Sequence, residues 1–397
     1  MLVVKMKQLL VAALFRFFGL FPIQNKKIVV NMNDGKGFGE NGRYIVEELL
    51  KRRTDLDIVW LANNMNEKYP KGVRAVKYFS LKAIYDQATA RIWIGNKRKP
   101  GYVRKRTSQY YIMTWHAGIS LKRVEKEAEN ALSKVYVDAA KADSKMINVF
   151  LSSSKWETDL YRRAFWYDGE ILECGYPRQD SLFTSTEKDV QRIRKKLKIE
   201  DGVKMFLYAP SFRKEMIGKS ESEIDFSVYK LEWEKVLAAL QERFGGKWCG
   251  AIRLHPNVAK LSHLLSLPEN IIDVSKYPDM QELLICTDCL LTDYSSSVFD
   301  LAIMKKPGFM YVPDFELYQQ DRGLYFTLEE LPFSVARDQD KLCENILAYD
   351  DDEYQKTLHE FMIERCGLCP GGQASKKVAD RIEAVIKKAN GKKNGTV

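Results

Sequence analysis

Two doubly wound α/β domains facing each other are the fold class this sequence predicts, and three observations predict it. Short β-branched or aromatic runs alternate with longer helical patterns along most of the chain, the signature of parallel sheets covered on both faces. The alternation forms two series, separated by a charged helical stretch at 187–199. Finally, 397 residues with 45% hydrophobic and 29% charged side chains suit two domains with sizeable cores and exclude wholesale disorder.

The first series places strands at 27–33, 57–63, 91–96, 110–115, 149–153 and 171–175. The second places them at 205–209, 249–254, 271–274, 289–292 and 308–312. Each is an apolar run of strand length bounded by polar, Gly or Pro residues. The expected organisation is an N-terminal helix at 1–24, one domain at 25–185, a second at 186–385 and a flexible polar tail at 386–397.

Residues 9–23 are apolar except for Arg16, and Lys5 and Lys7 precede them. The segment is short for a bilayer span, which takes ~20 apolar residues. Arg16 splits the apolar core and no small-x-small cleavage site follows, which argues against a signal peptide. Two readings stay open: an interfacial helix on a membrane, and a helix packed on its own domain.

Sixty-three basic against 53 acidic residues give a net charge of +10. Residues 97–106 hold six basic side chains in ten, and 192–198 hold five in seven. Such runs are solvated faces or binding surfaces for a polyanion. The seven cysteines are odd in number and fall in apolar elements, as structural cysteines of a reducing compartment do. The pairs Cys286/Cys289 and Cys366/Cys369 lie far apart and inside apolar patterns, unlike a zinc ribbon, so no metal site is expected.

In open parallel sheets ligands bind beyond the carboxyl ends of the strands, and polar residues recur at that edge here. Gly35-Lys36-Gly37-Phe38-Gly39-Glu40-Asn41 follows the first strand, His116-Ala117-Gly118 the fourth and Tyr176-Pro177-Arg178 the sixth. In the second series Pro210-Ser211-Phe212-Arg213, His255-Pro256-Asn257 and Asp293-Tyr294-Ser295-Ser296-Ser297 hold the equivalent places. His116 is suited to take a proton from a hydroxyl near neutral pH. Arg253 and His255 share one side of a strand by its period of two and would clamp a phosphoryl group. The three serines sit where a helix begins, a place that caps the helix or holds an anion. The glycine loop reads either as a phosphate cradle or as a loop closing on an acceptor. No metalloprotease signature, Asp-x-Asp strand-end loop or serine-hydrolase signature is present.

Seven segments together carry a resemblance. They are Gly35 to Tyr44, Thr114-Trp115-His116-Ala117-Gly118-Ile119-Ser120-Leu121-Lys122, Ala164-Phe165-Trp166, Gly175-Tyr176-Pro177-Arg178-Gln179-Asp180, Tyr208-Ala209-Pro210-Ser211-Phe212-Arg213, Arg253-Leu254-His255-Pro256 and Thr292-Asp293-Tyr294-Ser295-Ser296. In this order they resemble the CDP-glycerol glycerophosphotransferase family, the teichoic-acid primases and polymerases, from about residue 25 to about 385. Two departures stand out: Ala117, where relatives usually have Gly after the motif His, and Cys366-Gly367-Leu368-Cys369, where relatives often carry acidic residues.

The resemblance implies a GT-B fold with the active site in a central cleft. It implies transfer of glycerol phosphate, or a related polyol phosphate, from CDP-glycerol or CDP-ribitol, with CMP leaving and no cofactor. His116 would be the base and His255 would stabilise the donor phosphates. Arg213, Arg253, Pro210, Ser211, Asp293, Ser295, Ser296 and Ser297 would hold the CDP end, and Gly37, Gly39, Asn41, Gly118, Lys122 and Arg178 would lie on the acceptor side. Expected partners are a lipid-linked or polymeric anionic acceptor and an anionic membrane surface, at the cytoplasmic membrane face, with homo-oligomerisation left open. The alternative is a GT-B glycosyltransferase using a nucleotide sugar, with the same cleft but attack at an anomeric carbon. A nucleic-acid-binding protein would explain the charge alone, but no aromatic–basic recognition motif or helix-turn-helix pattern supports it.

Overall fold

The computed structural model describes residues 2–213, 223 and 226–391. They divide into two compact units: unit 1 takes residues up to 118, 124–180 and from 368 onward, and unit 2 takes 119–123 and 181–367.

The strands of unit 1 are β1 (Gln24–Asn31), β2 (Asp57–Ala62), β3 (Val73–Lys77), β4 (Ala90–Gly95), β5 (Tyr110–Met113), β6 (Val149–Ser152) and β7 (Glu170–Glu173). Those of unit 2 are β8 (Val203–Ala209), β9 (Lys247–Ile252), β10 (Ile271–Asp273), β11 (Cys289–Thr292), β12 (Gly308–Tyr311) and β13 (Ser334–Ala336). The first helices are α1 (Leu2–Phe18), α2 (Glu40–Arg52), α3 (Leu81–Thr89), α4 (Lys134–Ser144) and α5 (Lys155–Ala164). Next come α6 (Asp180–Thr184), α7 (Glu187–Leu197), α8 (Trp233–Phe244), α9 (Met280–Cys286) and α10 (Ser297–Ile303). The last are α11 (Phe315–Arg322), α12 (Gln339–Leu347), α13 (Asp351–His359) and α14 (Ala374–Gly391).

Both sheets are parallel and share one winding. Unit 1 runs β3-β2-β1-β4-β5-β6-β7 and unit 2 runs β10-β9-β8-β11-β12-β13. Strand order therefore reverses between β1 and β4 in one sheet and between β8 and β11 in the other. A doubly wound sheet opens a ligand crevice at such a reversal. The central strands are apolar on both faces because helices cover both: Ile28, Val29 and Val30 of β1 and Ile92, Trp93 and Ile94 of β4 are all buried. Two strands escape the sequence pattern. β3 carries Arg74 and Lys77 at the sheet edge, and β13 is three residues long.

The expected domain boundary needs correction at its far end. α14 belongs to unit 1, where Ala374, Val378, Ile382 and Ile386 join Val30, Ile45, Leu49 and Ile112 in one core. Its first turn is anchored by Asp180, whose carboxylate accepts the N–H groups of Ala374 (2.9 Å) and Ser375 (2.7 Å). Residues 386–391, expected in a flexible tail, are helical; 392–397 lie outside the described residues.

At the other end α1 packs against α3. Phe15 is buried, and Phe18 and Phe21 meet the Tyr85 ring edge-on at 5.5 and 5.8 Å. Its other side leaves Met6, Leu9, Leu10 and Phe17 exposed, as is Leu20 just beyond it. No described helix is long and apolar enough to cross a membrane.

Both basic runs are largely absorbed by the fold. Arg192 and Lys196 pair with Glu282, and Arg194 with Asp288. Arg98 turns inward to Glu125 (2.8 Å) and Asp143 (3.4 Å), and Lys99 lies over the rings of Trp93 and Tyr111.

Because α14 closes the core of unit 1, Ile382→Ala should cost about 2–5 kcal/mol of unit 1 stability by cavity formation. The exposed Lys388→Ala on the same helix should stay within about 0.5 kcal/mol. Urea unfolding of the full chain measures both.

Candidate active site

In unit 1 the polar strand ends meet at the β1/β4 reversal. Asn96, one residue past β4, connects them. Its Oδ1 accepts the Asn33 N–H (2.8 Å), its Nδ2 donates to Asn33 Oδ1 (3.1 Å), and its carbonyl lies 3.0 Å from His116 Nδ1. A carbonyl only accepts, so Nδ1 carries the proton and the basic lone pair of the neutral ring is on Nε2. That is the tautomer a general base facing a substrate requires.

The His116 ring surface is open to solvent, although the protein mass around it is dense. This desolvation lowers its pKa, to about 4, with Lys97 and Arg178 adding repulsion, while the Asn96 carbonyl and Asp34 act in the opposite sense. The open surface limits the size of the depression; its direction keeps the ring neutral at neutral pH.

The chain reaches His116 through a strained residue. β5 ends at Met113, and Trp115 adopts φ +52°, a left-handed conformation costly for a bulky side chain. Packing holds it there: the indole is edge-on to Phe165 at 4.9 Å, and the Arg98 guanidinium stands 5.7 Å from its centre. Asn41, fully buried, donates from Nδ2 to the carbonyls of Trp115 (3.3 Å) and Thr114 (3.5 Å), and its Oδ1 accepts the Arg178 N–H (3.1 Å). One amide thereby ties the histidine turn to the Tyr176-Pro177-Arg178 turn. Beneath them, buried Glu157 accepts from Ser153 N–H and Oγ and from the hydroxyls of Tyr161 and Tyr176. Its pKa is raised by burial.

The glycine loop lies at the same edge. Gly35 has φ +81°, and a Cβ there would stand 3.0 Å from the Asn63 backbone nitrogen, so only glycine fits. Gly37 has φ +79° with open space around it, and Gly39 is the extended N-cap of α2 without a side-chain cap. Gly118 packs near Ser153, Gln179 and Tyr176. Lys122, expected with this set, belongs to unit 2: residues 121–123 pair with 323–325, and its amine lies 4.5 Å from the centre of the Tyr318 ring.

In unit 2 the β8/β11 reversal is organised by Asp293. Its carboxylate accepts the N–H groups of Ser211 (2.8 Å) and Tyr294 (2.6 Å) and pairs with Arg213 at 2.7 Å. Arg213 also pairs with Asp314 at 2.6 Å and donates to the Ser211 carbonyl. Burial disfavours its charge, but the two carboxylates outweigh this and raise its pKa. The guanidinium expected to grip phosphate is thus engaged by carboxylates, and it stands over the Tyr294 and Tyr318 rings, themselves stacked at 3.4 Å. Pro210 is buried at the end of β8.

Of the three serines, Ser296 is the N-cap of α10 and makes no side-chain cap; the Ser295 hydroxyl instead accepts from Ser297 N–H (3.3 Å) and Oγ (3.0 Å). The expected shared strand face of Arg253 and His255 does not form, because β9 stops at Ile252. Arg253 donates to the Tyr277 carbonyl (2.8 Å). His255 Nδ1 accepts the Asn257 N–H (3.2 Å), so the proton of its neutral ring is on Nε2, the opposite tautomer to His116. Sequence reasoning missed Asn96, Glu157 and Asp314. A lone Asn after a strand is the only signal the first left.

Two Rossmann-like units with histidine-bearing loops at the carboxyl edges of their sheets have the build of a two-domain transferase. The model of the CDP-glycerol:poly(glycerophosphate) glycerophosphotransferase family matches residues 13–384, and the chain belongs to that family. It is 30% identical to the teichoic acid poly(glycerol phosphate) polymerase of Bacillus spizizenii, over 96% of this chain and 98% of that protein. With the polymerase of Bacillus subtilis identity is 28% over 93% of this chain, which spans about half (50%) of that longer relative. The teichoic acid glycerol-phosphate transferase of Staphylococcus aureus is 26% identical, over 95% of this chain and 98% of that one. Among solved structures, the wall teichoic acid polymerase TagF superposes with a TM-score of 0.82 at 27% identity, covering 98% of both chains. The protein is a CDP-glycerol glycerophosphotransferase-type enzyme of teichoic-acid biosynthesis.

Asn41→Leu keeps the branched shape of the Asn41 side chain and removes both its donor and its acceptor. It should lower kcat at least about tenfold and cost about 1–3 kcal/mol of stability. Steady-state kinetics beside thermal unfolding separate the two effects.

Proposed function

We propose that this enzyme uses His116 as base and His255 as electrostatic partner to transfer glycerol phosphate to a hydroxyl of a lipid-linked or polymeric acceptor. The acceptor oxygen attacks the phosphorus that bears the glycerol, and its proton passes to His116 Nε2. The bond from that phosphorus to the bridging oxygen breaks, and CMP leaves with the electron pair. His255 Nε2–H donates to a phosphate oxygen as charge shifts toward the leaving group. The observation carrying this reading is the pair of opposite tautomers: the Asn96 carbonyl leaves His116 with a lone pair outward, and the Asn257 N–H leaves His255 with a proton. Phosphoryl transfer through a loose transition state asks little of its base until late, so a weakly basic imidazole suffices.

On the donor side, Ser295–Ser297, Ser211 and Arg253 would hold the diphosphate, while Arg213 and Asp293 keep the loops in place. Gly37, Gly39, Gly118 and Arg178 would border the acceptor. CDP-ribitol is the alternative donor, because ribitol-phosphate polymerases are among the relatives. Membrane contact would come through the exposed apolar side of α1 (Met6, Leu9, Leu10, Phe17), making the protein peripheral at the cytoplasmic face.

With CDP-glycerol and an acceptor-bearing membrane extract, His116→Ala should lower the rate of CMP release by ~10²–10⁴. Unchanged release in that variant would remove His116 from the chemistry. In wild-type enzyme the base works only while neutral. The acid limb of kcat/KM should therefore lie below the ordinary imidazole value of about 6.5, toward about 4. A limb at or above 6.5 contradicts the assignment.

A further inference from the structure

Of the basic run at 97–106, the site above uses only Lys97 and Arg98, beside His116 and Trp115. With Arg98 and Lys99 turned inward and Lys97 paired with Asp34, exposed Arg104 and half-buried Lys105 remain, and a second element joins them. Arg104 and Lys105 line an open depression of about 380 Å³ together with Lys141 and Lys145. Lys141 and Lys145 are four residues apart at the C-terminal end of α4, so they share one helix face. Asp138 is the single carboxylate among the lining residues, and it stands 3.9 Å from Lys134. Met146 contributes an apolar wall. Lys105 is half-buried, donates to the Gln109 carbonyl (3.0 Å) and has its pKa lowered by desolvation. Lys141 also pairs with Glu129 at 3.3 Å, and Arg104 donates to the carbonyls of Gly101 and Val103. Four cations against two carboxylates leave a concave site of net positive charge.

The neighbourhood of the depression indicates which anion. Arg106, the next residue, donates to the carbonyl of Phe21 (2.7 Å), just past the end of α1. That segment carries the most exposed large apolar residue among the described residues, Leu20 at 81%, together with exposed Phe17 and Phe21. A soluble polyanion has no use for apolar neighbours. A lipid headgroup brings phosphate and acyl chains together. The geometry points to a headgroup pocket: Arg104, Lys105, Lys141 and Lys145 bind the phosphodiester of an anionic phospholipid while the α1 segment enters the bilayer boundary. This deepens, and rests on, the membrane contact proposed above.

Flotation with vesicles of phosphatidylcholine alone, and with added phosphatidylglycerol, tests it on the full chain. The double variant K141Q/K145Q changes two exposed side chains, and thermal unfolding checks that it folds as wild type. It should lose about thirtyfold in binding to phosphatidylglycerol vesicles, with CMP release to a water-soluble acceptor unchanged. Leu20→Ser should weaken binding to both vesicle types. If Leu20→Ser weakens binding and K141Q/K145Q does not, membrane contact stands and the headgroup pocket falls. If wild-type protein floats with neither vesicle, both fall. If K141Q/K145Q loses binding to soluble poly(glycerol phosphate) but keeps its vesicle binding, the depression serves the polymer and the lipid assignment is overturned.

Discussion

The Asn96 carbonyl fixes which nitrogen of His116 can accept a proton, and the unit 1 site is built around holding that carbonyl and that ring together. β4 delivers Asn96 to the sheet edge, and its side chain exchanges two hydrogen bonds with Asn33 in the neighbouring loop. The ring arrives from the next strand through Trp115, whose left-handed backbone is paid for by aromatic packing and by the Arg98 cation above the indole. Asn41 fixes the same turn from beneath. The two ring nitrogens differ little in intrinsic basicity, so a single carbonyl decides the tautomer.

Unit 2 reaches its arrangement by a different route. Its loops are joined by buried charge, with Asp293 and Asp314 sharing Arg213. Such a network is expensive to desolvate, and removing one member leaves a buried charge uncompensated. Its return is rigidity. The loops after β8 and β11 are fastened to each other, so the serines at the start of α10 hold their place without a side-chain cap. The cation that the motif seemed to offer to phosphate serves as a strut.

The sequence makes the periodic parts of this fold legible. Eleven of the strands stand out as apolar runs, and loops at both switch points were identifiable because polar residues gather at carboxyl edges. β3 and β13 were missed because an edge strand bearing Arg74 and Lys77 and a three-residue strand carry little pattern. Partnership across distance was not readable. Nothing local to Arg213 points to Asp314, 101 residues on, and nothing in 119–123 says that Lys122 crosses to unit 2. Helical periodicity shows that α14 has an apolar face, but not which sheet that face covers. The histidine positions were legible; their tautomers depend on backbone groups 20 and two residues away.

The return of α14 to unit 1 has a consequence for how the protein is made. Most of unit 2 is an insertion in the sequence of unit 1, since the chain leaves at Asp180 and comes back at Leu368. On the ribosome the first sheet is therefore complete in strands long before it is complete in core. At roughly 5–20 residues per second, the strip that Ile382 and Val378 will cover stays open for some ten seconds or more. During that wait the nascent first unit presents a groove shaped for its own last helix, and any other amphipathic helix competes for it.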